Sequence, residues 1–438
     1  KARIVARGSR RYPAGPMRAL YTVLLYLLTP LALLRLLWRS RELRAYRQRI
    51  PERFGFVPAA PAPVAVWVHA VSVGETLAAL PLIRALVERH GAQRVWVTTT
   101  TPTGSAQVRA QLGDSVRHSY APYDLPDVVA RFLARVQPQQ IVVMETELWP
   151  NLLRAAAQRG IALTIANARL SPRSLRGYAR VAGFTRATLA DCWMIAAQSE
   201  ADAQRFRSLG APAARVQVMG NIKFDQALPD AQLALGAALR TRIGARPVWC
   251  AASTHEGEEE QVLAAHRALL ASHPDALLIL VPRHPQRFDA VARLIEKSDL
   301  AMLRRSALGA LDATASPDVA TRVLLGDSMG EMFVYFAASD LAFVGGSLVP
   351  IGGHNVLEPA ALGVPVLFGP HMHNFVAARE LLLDAGAGVE ISADSLATQL
   401  RQLFDDPVRR SQLGAAARAV VAANRGALQR LLALLDRA

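Results

Sequence analysis

Three groups of residues have the types and spacing to do chemistry. Glu75 follows Ser72-Val73-Gly74 in a stretch of small and apolar residues. A carboxylate in such surroundings loses hydration, its pKa rises, and it can take a proton from a hydroxyl. A first-turn glutamate satisfying a helix dipole uses the same residue type. Glu145 and Glu147 flank Thr146, and in an extended segment residues two apart share a face, so the two carboxylates converge. Glu147 would serve equally as a cap for a helix beginning near Pro150. The third group lies in 345–360, with the pairs Gly345-Gly346 and Gly352-Gly353, then His354, Asn355 and Glu358. Glycines let the backbone approach a ligand. A helix starting near His354 would turn its N–H groups and positive dipole end toward that ligand. Asn355 and Glu358 share one face of its first turn. A carboxylate there accepts the two hydroxyls of a ribose, so a nucleotide is the natural ligand. A tight strand-to-helix turn capped by Glu358 is the structural alternative.

Further candidates stand where apolar runs end. Arg283, in Pro282-Arg283-His284-Pro285, is placed to hold a base or phosphate, with an exposed turn arginine as the structural alternative. Ser328, followed by Met329 and Gly330, is both a helix cap and a phosphate donor. Ser253 and His255 open another helix, and Arg169 and Lys223 supply cations for an anionic sugar or phosphate. The ten histidines lack metal-ligand spacing, so no metal is expected. Cys192 and Cys250 lie beside apolar runs and read as reduced core residues.

The elements that position these groups repeat. Apolar runs at 64–69, 95–98, 141–144, 162–166, 193–197 and 216–219 each end in polar residues and lead into a helical pattern. A polar, Ala-rich linker region with a helix spans 226–246. The alternation restarts at 248–252, 277–281, 322–325, 341–344, 364–368 and 388–391. The fold class is therefore α/β with two doubly wound domains, whose ligands gather at the carboxyl ends of the strands.

The chain of 438 residues carries a net charge of +15, but residues 1–54 hold +11 of it. A basic charge gathered at one end beside an apolar helix suits an anionic membrane surface and argues against nucleic acid. Residues 1–16 read as a disordered basic leader, with Met17 a candidate natural start. The uncharged stretch 19–34 reads as a short signal anchor or an in-plane membrane helix, with a buried core helix as a third reading. Positive-inside bias puts the bulk of the protein in the cytoplasm if the chain starts at Met17.

The motifs His69-Ala70-Val71-Ser72-Val73-Gly74-Glu75, Glu145-Thr146-Glu147-Leu148-Trp149-Pro150-Asn151, Asn167-Ala168-Arg169-Leu170-Ser171, Gly326-Asp327-Ser328-Met329-Gly330-Glu331 and Gly352-Gly353-His354-Asn355-Val356-Leu357-Glu358-Pro359-Ala360 run in order along the chain. Together they closely resemble the 3-deoxy-D-manno-octulosonic acid (Kdo) transferases. The resemblance implies the GT-B fold, two Rossmann-like domains facing a central cleft, and an anchor on the cytoplasmic face of the bacterial inner membrane. It implies inverting transfer of Kdo from CMP-Kdo to the lipid A precursor (lipid IVA) in lipopolysaccharide biosynthesis, with no cofactor and no catalytic metal. By motif, Glu75 is the general base, and Arg283, Ser328, Met329, Gly330, Asn355 and Glu358 hold CMP. Ser72, Gly74, Glu145, Glu147, Arg169, Lys223, Ser253 and His255 are the further substrate-binding candidates. The expected divisions are a leader and anchor helix at 1–40, an acceptor-binding domain at 41–228, a CMP-sugar-binding domain at 229–415, and a helix at 416–438 that returns to the first domain. Another GT-B nucleotide-sugar enzyme (an epimerase or UDP-sugar transferase) and a non-enzymatic lipid-binding module are the competing readings.

Overall fold

The structure, a computed structural model, describes residues 15–41, 43–225, 228–309 and 317–438. The expected disorder of the leader falls, through residue 14, outside the described residues, and Pro16 already opens a helix. The chain forms two compact units, one built by the chain up to Asp225 together with Arg425–Ala438, the other by Gln226–Asn424. The expected division at 415/416 lies inside the helix Pro407–Asn424, and the chain re-enters the first unit only after it.

The first unit is a seven-stranded parallel sheet in the order β3-β2-β1-β4-β5-β6-β7. Its strands are β1 (Val66–His69), β2 (Val95–Thr99), β3 (Arg117–Tyr120), β4 (Gln140–Met144), β5 (Ala162–Ala168), β6 (Met194–Ala197) and β7 (Val216–Val218). Its crossover helices start economically. Pro102, Pro126, Pro150 and Pro172 each occupy a first turn, where the missing N–H costs nothing and the fixed φ suits a helix. β1 pairs with β2 on one side and β4 on the other, so the chain reverses its direction of winding between β1 and β4. In open α/β sheets that reversal opens a crevice at the strand ends.

The helix Ala427–Leu435 completes this unit. Leu431, Leu432, Leu434 and Leu435 are buried in the same cluster as Val66, Ile83 and Val142. The Asp225 carboxylate caps the helix by accepting the Gly426 and Leu428 N–H groups. Leu432→Ala is expected to destabilise the first unit by about 2–4 kcal/mol, the usual result of emptying a buried leucine site. Chemical denaturation checks this, and a loss below about 0.5 kcal/mol, typical of surface positions, would show that the helix is not part of the core.

The second unit is also a seven-stranded parallel sheet, ordered β10-β11-β9-β8-β12-β13-β14. It comprises β8 (Val248–Thr254), β9 (Leu277–Pro282), β10 (Met302–Arg304), β11 (Val323–Leu325), β12 (Leu341–Val344), β13 (Val366–Phe368) and β14 (Gly388–Glu390). Its reversal lies between β8 and β12. The helix Asp230–Ile243, expected in a linker, belongs to this unit. Gly236 lets it press on the helix Met332–Ala337, since a Cβ there would stand 2.7 Å from the Val334 carbonyl.

The apolar N-terminal stretch forms one helix, Pro16–Arg39, with no buried residue. It is not a bare rod. Arg18 donates to the Pro150 carbonyl and to Asp191, Tyr21 donates to Asp124 at 2.9 Å, and Tyr26 donates to Asp127. Leu24, Leu27, Leu28, Leu31 and Leu34 are exposed. Part of the basic segment after it is structural. The Arg53 guanidinium is buried, donates to the Thr100 carbonyl and lies 4.1 Å over Tyr120, while Arg49 pairs with Glu52. Cys192 and Cys250 are buried and free.

Candidate active site

Each unit carries its candidate residues at the carboxyl ends of its strands, several of them where the winding reverses. In the first, β1 ends at His69 and a short turn leads to the helix Val73–His90, capped by Ser72. The Ser72 hydroxyl oxygen accepts the Glu75 N–H, and the Glu75 carboxylate accepts the Ser72 hydroxyl at 3.0 Å and the Val71 N–H at 2.8 Å. The capping and proton-accepting readings of Glu75 thus coexist. The residue is 9% exposed. Burial pushes its carboxyl up to about 7, with Glu145 and Glu147 adding to the rise and the Val71 and Ser72 bonds opposing it. Gly74 has open space where a side chain would project, with only Ser72 Oγ nearby at 3.9 Å.

Glu145 follows β4 in a left-handed conformation at φ +55°. Its carboxylate pairs with Lys223 at 3.6 Å. Glu147 accepts the Trp149 indole N–H at 2.9 Å, and burial raises its pKa. It does not cap the following helix Pro150–Gln158. Asp124 does, by accepting the N–H groups of Asn151 and Leu152 at 3.0 and 2.7 Å. The Arg169 carbonyl after β5 accepts the Thr146 hydroxyl, and Asn167 Oδ1 accepts the Ile222 N–H beside Lys223. Ser72, Gly74, Glu75, Glu145, Glu147, Arg169 and Lys223 therefore lie at the carboxyl ends of β1, β4, β5 and β7, with Lys223 reaching back to Glu145. This surface places one proton acceptor of near-neutral pKa among carboxylates and cations.

In the second unit, β12 runs into Gly345. A Cβ there would stand 2.8 Å from both Glu258 Oε2 and the Ser253 carbonyl, so only glycine fits. The cause is Glu258, fully buried, whose carboxylate accepts four backbone N–H groups: His255 at 3.0 Å, Gly346 at 2.7 Å, Ser347 at 3.0 Å and Leu348 at 2.9 Å. Nothing in the sequence singled out Glu258, which reads as a charge at the start of the helix Glu259–Leu270. Three of its four partners lie some ninety positions away.

His255 and His354 stack at 5.0 Å between ring centroids, with their Nε2 atoms 2.7 Å apart. His284 stands edge-on to His255, and Ser253 sits at φ +56° in the same turn. Burial, then the cation of Arg283 and the two neighbouring rings, pushes His354 down to about 3. Burial lowers His255 as well, so both rings of the pair are neutral at neutral pH, one Nε2 donating and the other accepting. His354 had a legible signal, its place after Gly352-Gly353, but spacing carries no sign of its pairing with His255. Asn355 and Glu358 come together as expected, with Asn355 Nδ2 donating to Glu358 at 3.1 Å. The expected helix near His354 begins only at Leu357 and spans six residues, and its Leu357 N–H is taken by Asn355 Oδ1. One N–H of that helix end is thus already engaged. The polar groups at hand are the histidine pair and Arg283. Ser328 lies after β11, its hydroxyl bonded to Glu331 and Tyr335, with Met329 exposed and Gly330 at φ +81°.

Residues 48–226 match the family model described as 3-deoxy-D-manno-octulosonic-acid transferase (kdotransferase). Over 423 residues the chain is 44% identical to the 3-deoxy-D-manno-octulosonic acid transferase of Haemophilus influenzae, covering 95% of this chain and 98% of that one. The chain belongs to the Kdo transferase family. The Kdo transferase of Bordetella pertussis is 42% identical over 435 residues, 96% of this chain and 99% of the relative. The UDP-GlcNAc 2-epimerase of Neisseria meningitidis superposes with a TM-score of 0.53 at 16% identity, over 85% of this chain and 100% of that one, which shows the fold alone. The fold is GT-B, with two Rossmann-like units and an apolar N-terminal helix. As a Kdo transferase the chain is a glycosyltransferase of lipopolysaccharide biosynthesis.

Proposed function

We propose that this Kdo transferase moves Kdo from CMP-Kdo to the lipid A precursor (lipid IVA), with Glu75 as the general base. The observation that carries this is a buried carboxyl with a pKa near 7 beside open space at the β1/β4 reversal of a Kdo transferase. The Glu75 carboxylate takes the proton of the acceptor hydroxyl. The acceptor oxygen forms its bond to the anomeric carbon of Kdo from the face opposite CMP, and the bond to CMP breaks with its electron pair going to the phosphate oxygen. Attack from that face inverts the centre. Lys223 and Arg169 suit the negative charges of the sugar and of the phosphorylated acceptor. Arg283 and the donating histidine of the His255–His354 pair suit the CMP phosphate, with the Asn355–Glu358 pair toward the ribose and Ser328, Met329 and Gly330 at the rim. CMP-Kdo is itself activated, so this reaction requires no resident cofactor.

The acceptor's lipid nature accords with the helix Pro16–Arg39. Its polar side chains Arg18, Tyr21 and Tyr26 are committed to the first unit, while leucines on its other side face outward. A segment bound to protein along its first turns favours a position in the plane of an anionic cytoplasmic membrane surface over a span. Incubation of the full chain with CMP-Kdo and tetraacylated lipid A precursor, read by mass spectrometry, is expected to give Kdo-bearing lipid and free CMP. Transfer from a UDP-sugar in preference to CMP-Kdo would overturn the reading.

A further inference from the structure

His69, the last residue of β1, is fully buried and takes no part in the chemistry above. Its Nδ1 lies 2.9 Å from the Thr98 hydroxyl, and that hydroxyl also accepts the Trp67 indole N–H at 2.8 Å. An indole N–H can only donate. The Thr98 hydroxyl, with one hydrogen and two lone pairs, thus bridges the indole and the imidazole. Nε2 has no hydrogen-bond partner among the described residues. What lies against the ring is Trp149, at 4.7 Å between centroids and 63° between planes, an edge-to-face arrangement. Edge-to-face aromatic pairs are favourable beyond the area they bury, so the two rings fix one another's orientation. The same indole donates its own N–H to Glu147.

We propose that His69 is a positioning residue, whose imidazole ring seats the Trp149 indole so that Trp149 holds Glu147 beside Glu75. The chain of contacts runs Trp67, Thr98, His69, Trp149, Glu147. It links the end of β1, which carries Glu75, to the loop after β4, which carries Glu147. Burial holds the imidazole neutral, its pKa pushed down to about 4, so the arrangement persists across the working range of Glu75. The groups that act on Glu75 are Glu145, paired with Lys223, Glu147, and the Val71 N–H and Ser72 hydroxyl bonded to it. Glu147 in turn faces Glu145 and Tyr178. Of the two neighbouring carboxylates, only Glu147 is held through His69. The inference rests on the reading of Glu75 as the base.

The test is a double-mutant cycle in the full chain, with transfer to lipid acceptor followed across pH. His69→Asn puts an amide oxygen where Nδ1 was and leaves nothing to reach Trp149. Trp149→Phe keeps an aromatic face and loses the N–H to Glu147. Each is expected to lower kcat/KM by about tenfold to a hundredfold, as small displacements at a reacting centre do. Each should also move the acid limb of the pH profile to lower pH, because the Glu147 charge drifts from Glu75. The double variant should be no worse than the worse single one, the signature of two residues acting through one contact. His69→Phe, which keeps a flat ring against Trp149, should recover most of the rate. Multiplicative losses in the double variant, or an unmoved acid limb in both single variants, would overturn the proposal. Should His69→Asn fail to fold, the cycle is run with His69→Gln, and independent losses there would overturn it equally. Failure of the underlying reading is seen separately, as normal turnover by Glu75→Gln.

Discussion

Glu75→Gln is expected to lower turnover by about 10²- to 10⁴-fold while leaving the fold intact, the range seen when a general base is removed. The amide keeps an oxygen for the Val71 N–H, and the Ser72 cap to the Glu75 N–H does not involve the side chain. The pH dependence gives an independent check. Burial first, then the charges of Glu145 and Glu147, raises this carboxyl to about 7. Below that pH it is protonated and cannot accept a proton, so kcat/KM should rise through an acid limb near 7 and level above it. A limb near the ordinary carboxylate value, or a Gln variant of normal rate, would remove Glu75 from the mechanism. Stability follows the opposite sign. From the ordinary value near 4.5 up to about 7 the folded chain keeps a proton that the unfolded chain has lost. This group's contribution is therefore full below that window and is lost as pH rises through it.

Glu258→Ala is expected to cost the second unit about 3–5 kcal/mol, the scale of breaking a buried charge network. The substitution leaves four backbone N–H groups without their acceptor, in a place that water reaches poorly. Gly346, Ser347 and Leu348 are drawn toward one carboxylate, so the loop after β12 should lose its shape as well. Denaturant titration reads the stability, and CMP affinity reads the loop. A loss under about 1 kcal/mol, within the range of ordinary exposed ion pairs, would show that other contacts hold the turn. Glu258→Gln should fall between the two, since only the amide oxygen can accept and two N–H groups would face its NH₂.

Much of the fold was legible because buried parallel strands are continuous apolar runs, and twelve of these were read directly. The two strands that escaped, Arg117–Tyr120 and Met302–Arg304, are outer strands of their sheets. Each has a mixed polar sequence because an edge strand need not be apolar throughout. Glu75, Glu145 and Glu147 were legible because strand ends gather ligands, and the neighbouring strands β1 and β4 do bring them together. Glu258, Asp124 and His69 were not. Each works through partners far along the chain, at the N–H groups of Ser347 and Asn151 or the ring of Trp149, and spacing along a sequence carries no record of such meetings. The helix expected near His354 starts at Leu357 for a local reason, as the Asn355 side chain turns back to accept the Leu357 N–H and the chain becomes helical only after it.

The helix Ala427–Leu435 has a consequence for how the protein is made. While the ribosome builds the second unit, the first already has all seven strands yet lacks the four leucines that cover Val66, Ile83 and Val142. That apolar surface stays uncovered through the synthesis of some two hundred residues, a window in which nascent chains rely on chaperones. The unit begun first on the ribosome is the one finished last.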